Sequence, residues 1–326
     1  MVDKLLYNTV LSQTFSPCGN YLLAGNTYGD VAVYDIQKIL SPGDGLTPAC
    51  RKAEYHFSVK QDVQICSMVT TEKFLLIGMV GEITGWDWKT ITSSKNPKLA
   101  FSIQIPTAKD ALEKPDVNSM LYCKADGHIY AGCGDNKIYI FSMEDGKLVR
   151  TMEGHDDYIH SIHNIGSQLV SASEDGSVRL WDMKQKTHTN TVQPYLSDKL
   201  VRPELGKWIG AASLSEDWLL CGGGPRLSLW HLRSLDVTTP FHLDDAGIHV
   251  AMFYDDRIMA GGASPYFYNL NYTGDTYAQI PSSSTSIYSA VYQETPLKVM
   301  CLAGSSSKID LCTNFSYRDQ ILTFAS

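Results

Sequence analysis

Short apolar runs that close on a small residue recur along the whole chain. They are Leu22-Leu23-Ala24-Gly25, Leu75-Leu76-Ile77-Gly78, Ile129-Tyr130-Ala131-Gly132, Leu169-Val170-Ser171-Ala172-Ser173, Leu219-Leu220-Cys221-Gly222, Ile258-Met259-Ala260-Gly261 and Cys301-Leu302-Ala303-Gly304. Runs this short, bounded by turn residues, read as buried strands. Eight or nine residues beyond each closing residue stands an anchor: Tyr34, Trp86, Phe141, Trp181, Trp230, Leu270 and Cys312. Before the fourth anchor, Ser177-Val178-Arg179-Leu180-Trp181 alternates polar and apolar, as a strand with two unlike faces requires. Helical periodicity is weak throughout. Residues 1–9 fit a short helix or an extra strand, and the pattern does not choose between them.

Successive anchors lie 52, 55, 40, 49, 40 and 42 residues apart. The longer gaps hold segments rich in Pro and Gly, near 37–53, 93–116 and 194–206, whose composition breaks regular structure. Without them the period is even, so they decorate one domain instead of dividing several. Turn chemistry falls in step with the runs. Ser16-Pro17-Cys18-Gly19-Asn20 and Ala125-Asp126-Gly127 precede a run, while Tyr28-Gly29-Asp30, Cys133-Gly134-Asp135 and Glu174-Asp175-Gly176 follow one.

The fourth unit carries the most specific polar signature, from Gly154-His155 to Trp181-Asp182. His155 in the entering loop, Ser173 on the second strand, Asp175 in the next turn and Trp181 on the third strand match the residue types of one hydrogen-bonded chain, with Ser171 as the alternative hydroxyl. Gly-His and Trp-Asp at this spacing are similar to a WD40 repeat, one four-stranded blade with a period of about 40–45 residues. The expected architecture is all-β: a single-domain, seven-bladed WD40 β-propeller over residues 1–326. Its blades are expected near 10–58, 62–105, 117–150, 152–193, 207–242, 247–281 and 286–325. Phe141-Ser142 in the third unit and Cys312-Thr313 in the seventh replace Trp-Asp, so these blades are expected to rest mainly on apolar packing.

Composition narrows the function. Lys+Arg number 27 against 35 Asp+Glu, giving a net charge of −8, and no basic run appears. Tight nucleic-acid binding depends on clustered positive charge, so protein partners are favoured. None of the eight cysteines forms a CxxC pair, and several sit in apolar runs as small hydrophobes. No leader-like segment opens the chain and no run of about 18 apolar residues spans a membrane. These features point to a reducing compartment, cytosol or nucleus.

Candidate chemistry is sparse. His155, His160 and His163 resemble a metal cluster, but His160 and His163 point to opposite faces of a strand and no Cys or carboxylate completes a site. Cys221-Gly222-Gly223-Gly224-Pro225 leads into a strand, so it reads as a tight turn and not a phosphate cradle. The acid pairs Asp156-Asp157, Asp244-Asp245 and Asp255-Asp256 lie in loops without a nucleophile or base beside them. No metal, cofactor or catalysis is expected. The better candidates are recognition residues: Tyr158 and His160 near the channel rim, Arg202 and Trp208 at the end of an insertion, and Arg226 in the glycine-rich turn. Exposed aromatics and arginines tend to dominate interfaces, although Trp208 equally fits packing beneath its own loop.

Several runs are more specific than a generic repeat. They include Ser16-Pro17-Cys18-Gly19, Gly154-His155-x-Asp157-Tyr158-Ile159-His160, Glu174-Asp175-Gly176-x-Val178-Arg179-Leu180-Trp181-Asp182 and Arg202-Pro203 before Gly206-x-Trp208-Ile209-Gly210. The most distinctive joins Asp217-Trp218 and Cys221-Gly222-Gly223-Gly224-Pro225 to Leu229-Trp230-His231-Leu232-Arg233-Ser234. In these the chain resembles the THO complex subunit 6 family over nearly its whole length, most weakly in the second blade, the loops and the last two blades. The resemblance implies a nuclear, non-catalytic scaffold of the THO part of the TREX assembly, which couples transcription to mRNA packaging and export. It implies docking on coiled-coil THO subunits, indirect links to the export helicase, and mostly indirect contact with mRNA. The competing expectation is another class of propeller, a substrate adaptor for ubiquitin ligation or a histone-tail reader, using a pocket at the channel mouth.

Overall fold

The structure, a computed structural model, describes residues 7–40, 51–108, 112–243 and 246–324. Seven sheets follow one another along the chain, each built on four antiparallel strands laid in sequence order. Blade 1 comprises Val10–Phe15, Tyr21–Asn26, Asp30–Asp35 and Tyr55–Ser58; blade 2 comprises Ser67–Thr70, Phe74–Met79, Glu82–Asp87 and Leu99–Gln104. Blade 3 runs through Val117–Cys123, His128–Cys133, Lys137–Ser142 and Leu148–Glu153; blade 4 through Ile159–Ile165, Gln168–Ser173, Val178–Asp182 and His188–Val192. Blade 5 holds Ile209–Leu214, Trp218–Gly223, Ser228–His231 and Asp236–Pro240; blade 6 holds Ile248–Tyr254, Arg257–Gly262, Tyr266–Leu270 and Thr276–Pro281. Blade 7 is Ile287–Gln293, Val299–Gly304, Lys308–Cys312 and Gln320–Thr323. The chain is a seven-bladed β-propeller whose first strands line a central channel.

The small residue on each second strand has a packing reason. A β-branched residue stands at or just before the start of each first strand, and all seven (Val10, Ile65, Val117, Ile159, Ile209, Ile248 and Ile287) are buried. Five of them press on a glycine of the preceding blade. A Cβ added to Gly25 would meet Ile65 at 2.6 Å, one on Gly78 would meet Val117 at 2.8 Å, and one on Gly132 would meet Ile159 at 2.8 Å. The same fit recurs at Gly222 against Ile248 and at Gly261 against Ile287. The repeat is therefore a knob-and-hole contact between neighbouring blades, and interiors packed this closely leave no slack for an extra methyl group.

The acid after the third-strand anchor also has a local role. Asp87 caps the short helix Trp88–Thr92 by accepting from the Lys89 amide at 2.8 Å. Asp35 accepts from the Lys38 amide at 2.9 Å at the start of Ile36–Leu40, and Asp182 accepts from the Lys184 amide at 2.9 Å. In each, a side-chain oxygen satisfies an amide that a chain turning off a strand leaves free.

Three features differ from the sequence-based expectation. Leu99–Gln104 lies where the expected blade 62–105 and the expected insertion 93–116 overlap, and it is the fourth strand of blade 2, not part of an insertion. Its solvent-facing alternation on a sheet edge carries little apolar signal. Among the described residues the N-terminal segment adds no strand to the last blade, and the first strand, Val10–Phe15, belongs to blade 1. Blade 7 instead gains a fifth strand from the insertion near 37–53, where Arg51–Lys52 pairs in parallel with Gln320–Thr323. Residues 41–50 of that insertion, including Cys50, and residues 1–6 lie outside the described residues. The seam is further tied by Gln13 Nε2 donating to the Ser289 carbonyl at 3.3 Å, Tyr34 Oη donating to the Thr323 carbonyl at 2.9 Å, and Arg51 Nε donating to Gln320 at 2.9 Å.

The third correction concerns polar contacts in the degenerate blades. Blade 3 pairs Tyr130 with Asp126 at 2.7 Å and Tyr139 with Asp135 at 2.6 Å. Blade 7 buries Asp310 beneath Ser282, Ser283 and Arg318. Neither rests on apolar packing alone, because buried polar groups still find partners when the Trp-Asp pattern is lost.

Candidate functional site at the channel mouth

The residue after each buried β-branched position forms a ring at the start of the first strands: Leu11, Cys66, Asn118, His160, Gly210, His249 and Tyr288 all line the channel. In six of the seven blades the pairing register shifts at this residue, as between Ile159 and Ser161 or Ile248 and Val250. A β-bulge re-aims the extra residue, and here it turns that residue toward the mouth in six blades, as a side chain in all but blade 5, where it is Gly210. The sequence signal was available as a β-branched residue, a variable residue, then a small one, recurring with the blade period. It was missed because nothing in the pattern announces a bulge.

Aromatic groups occupy one side of this mouth. Trp208 stacks on His249 with ring centroids 5.2 Å apart and planes 20° apart. His160 meets Trp208 edge-on at 6.4 Å, and His249 packs against Tyr288 at 5.0 Å. Offset and edge-on contacts at these distances are the favoured aromatic geometries. Burial, with His160 nearby, pushes the His249 imidazole down to about 4, so it stacks as a neutral ring at neutral pH. His160 is oriented by a contact of 2.8 Å from Nε2 to the Glu174 carboxylate.

Trp208 stands where two glycines allow it. A Cβ on Gly210 would meet its ring at 2.7 Å, and one on Gly247 would also meet it at 2.7 Å. Its indole N–H donates to the Leu205 carbonyl at 2.8 Å. Trp208 thus packs on its own loop and also contributes to the mouth. Tyr158 precedes the ring and is 55% exposed.

The two arginines part company. Arg202 is 4% exposed and is not available to a partner. Its Nε donates to the Gly224 carbonyl at 2.7 Å, and Nη2 reaches the carbonyls of Gly223, Pro225 and Ala246 at 3.1, 3.3 and 3.0 Å. It is a structural cation that collects the carbonyls of the glycine-rich turn, which corrects the docking role expected for it. Arg226 is half-buried on the same turn, its amide donating to the Leu200 carbonyl at 2.9 Å.

The polar chain of blade 4 passes through Ser171, not Ser173. Trp181 Nε1 donates to Ser171 Oγ at 2.8 Å, Ser171 lies 2.7 Å from His155 Nε2, and His155 Nδ1 lies 2.8 Å from Asp175. With Nδ1–H donating to the carboxylate and the Ser171 hydroxyl donating to Nε2, every group is satisfied by a neutral imidazole. Ser173 pins the entering loop instead, donating to the Asp157 carbonyl at 2.9 Å and accepting from the Asp175 amide at 3.1 Å. Ser171 pairs with Arg179 on the third strand, two positions from Trp181, and alternation puts Ser171 on the Trp181 face of the sheet while Ser173 stands at the strand end. Burial lowers the His155 pKa more than Asp175 raises it. Burial also opposes ionisation of Asp175, but hydrogen bonds from His155 and Ser177 outweigh it and hold the carboxyl well below its usual range.

The remaining histidine separates from these two: His163 Nδ1 accepts from the Leu214 amide at 3.1 Å. Among the described residues no group of three His, Cys, Asp or Glu side chains is arranged to hold a metal ion. Asp244 and Asp245 lie outside the described residues, and no helix among those described is long and apolar enough to cross a membrane.

Comparison with known proteins fits this architecture. The family model described as "WD domain, G-beta repeat" matches residues 146–182, from the last strand of blade 3 through the third strand of blade 4, the stretch that holds the complete polar chain. THO complex subunit 6 of Drosophila melanogaster is 40% identical over 317 residues, 97% of this chain and 89% of the relative. The THO complex subunit 6 homolog of Danio rerio is 38% identical, covering 98% of this chain and 99% of the relative. THO complex subunit 6 of Homo sapiens is 34% identical, covering 98% and 94%. Likeness over nearly the whole chain, at these identities, means that the chain belongs to the THO complex subunit 6 family of WD40 propellers.

Proposed function

We propose that this protein is a non-catalytic scaffold subunit of the THO part of the TREX complex. It acts in the nucleus, coupling transcription to mRNA packaging and export through protein–protein contacts. The carrying observation is full-length similarity to proteins named THO complex subunit 6. The net charge of −8 supports the same reading, since an acidic propeller repels the phosphate backbone and leaves RNA to neighbouring subunits. Tyr158, His160 and Trp208 at the channel mouth are the docking residues, with Arg226 at the edge of that face. Coiled-coil THO subunits are the direct partners, and the export helicase is reached through them.

Affinity purification of the tagged full-length chain from nuclear extract tests this. Recovery of the other THO subunits is expected. Their absence, or recovery of a ubiquitin ligase in their place, would overturn the proposal.

A further inference from the structure

Blade 1 leaves open a place that blade 4 fills. Val10 pairs with Asn26 at the end of the second strand, as Ile159 pairs with Ser173. Counted from these pairs, Asn8, Tyr28 and Asp30 stand where blade 4 has Asp157, Asp175 and Ser177. In blade 4 the His155 ring lies among these groups, 2.8 Å from Asp175 and 2.7 Å from Ser171. In blade 1 the counterparts line a cavity of about 490 Å³ at the seam with blade 7, together with His56, Phe57 and Phe324. Asn8 is 3% exposed, yet neither its Nδ2 nor its Oδ1 has a hydrogen-bond partner. The Asp30 amide donates to Asn26 Oδ1 at 2.8 Å, but among the described residues its carboxylate forms no ion pair. His56 is already committed, with Nε2 2.9 Å from the Phe324 carbonyl and its ring 5.3 Å from that of Phe324. By the same count the position of His155 falls to Leu6, which lies outside the described residues and whose side chain can neither donate nor accept. Buried polar groups find partners, and here the chain's own counterpart of His155 has none to give.

We propose that this cavity receives an extended segment of a protein partner, with its backbone on Asn8 and a histidine side chain on Asp30. In an extended chain the N–H and C=O of one residue point the same way, which is how strands exchange paired bonds. The Asn8 amide offers the matching acceptor and donor. The histidine meets Asp30 as His155 meets Asp175, and its ring packs against the aromatic wall of Phe57 and Phe324. Binding recovers what the orphaned amide costs the free chain. A cavity of this size takes a few residues, not a folded domain. A nucleic-acid phosphate fits poorly, because the described lining holds no Lys or Arg and presents the carboxylates of Asp30 and Asp62. The site lies at the seam of blades 1 and 7, apart from Tyr158 and Trp208, and adds to the scaffold reading without resting on it.

The test titrates the full-length chain into short fluorescent Gly-Ser peptides that differ only in a central histidine, phenylalanine, glutamate or alanine, and reads anisotropy. The histidine peptide is expected to bind roughly tenfold more tightly than the phenylalanine one, which has a ring but no donor. Asn8→Leu should weaken every peptide roughly tenfold, because all share the backbone contact. An apolar group of similar shape in place of an orphaned amide leaves the fold intact. Asp30→Asn should cut the histidine preference severalfold while backbone binding remains, since it removes the charge that strengthens the bond. Asp256→Asn, in a turn of blade 6, should change nothing. Equal binding of all four peptides, tighter binding of the glutamate peptide, or affinities that Asn8→Leu does not move would each overturn the proposal. So would no binding at all, the outcome if residues 1–6 filled the cavity, or competition by a single-stranded RNA oligonucleotide that Asn8→Leu abolishes. Absence of THO subunits from the nuclear purification overturns the scaffold reading and leaves these titrations as they are.

Discussion

Blades 4 and 7 solve the same problem with different residues. Each must tie the loop that enters the blade to the strands beneath it. In blade 4 the carboxylate comes from the turn after the second strand. Asp175 accepts from His155, from the Ser177 amide at 2.7 Å and hydroxyl at 2.6 Å, and from the Asp156 amide at 3.1 Å. In blade 7 it comes from the third strand itself. Asp310, wholly buried, accepts from the Ser283 amide and hydroxyl at 2.6 Å each, from the Ser282 hydroxyl at 3.0 Å and from Arg318 at 3.3 Å. Blade 4 connects its carboxylate onward through His155 and Ser171 to the buried Trp181. Blade 7 has Cys312 in that place and ends its network on a cation. The comparison teaches that the loop anchor, not the Trp-Asp pair, is what a blade cannot lose.

Asp310→Ala gives the largest expected effect. It strands a partly buried guanidinium and three loop donors, and breaking a buried charge pair costs about 3–5 kcal/mol. Denaturant unfolding of the purified variant measures it. If the midpoint does not move, blade 7 does rest on apolar packing and the comparison fails.

Two serine variants sharpen the other half. Ser171→Ala removes the hydroxyl that both Trp181 and His155 use, leaving two buried groups unpaired, so a loss of about 2 kcal/mol is expected. Ser173→Ala loses two contacts to the backbone of the half-buried Asp157 and Asp175, which keep some access to water, and should cost about 1 kcal/mol. The order of the two, read from the same unfolding curves, decides which serine carries the chain. A larger loss at Ser173 would restore the assignment made from the sequence.

How much of this was legible depends on distance along the chain. The seven blades were readable because the hole and its anchor sit eight or nine residues apart in every unit, and because local turn residues separate them. Blades 2 and 5 were readable in more detail still. There the anchor indole donates to a hydroxyl two residues earlier on its own strand, Trp86 to Thr84 at 3.0 Å and Trp230 to Ser228 at 2.8 Å. Asp310 occupies the same offset before Cys312, but its partners at Ser282 and Ser283 come from the preceding loop, and Arg318 from the following one. The two-residue strand Arg51–Lys52 pairs with a segment near the far end of the chain, so no window of sequence contains both halves. Arg202 misled because an arginine in a loop reads as solvent-facing. Only the fold shows that glycine-rich backbone turns its carbonyls onto it. Arg202→Lys, which keeps charge but not the fork of donors, should therefore destabilise without altering what the mouth retains.

The smallest expected effect is a pH dependence carried by the polar chain of blade 4. His155 sits in the fold with its pKa below the ordinary 6.5, so below that value the unfolded chain binds the extra proton more readily than the native one. Stability then rises with pH through this window and is lost as pH falls beneath it. Asp175, also held below its ordinary range, contributes stability that is present above about 3.8 and lost as pH falls through its folded value. The two act in the same direction, so acid should unload blade 4 in two steps, His155 first. His155→Gln keeps a neutral polar side chain and removes the first step. The parent should therefore lose more stability than this variant between about pH 7.5 and pH 5. Equal slopes for the parent and His155→Gln would mean that His155 is not held neutral, and the blade 4 chain would need a charged imidazole at its centre.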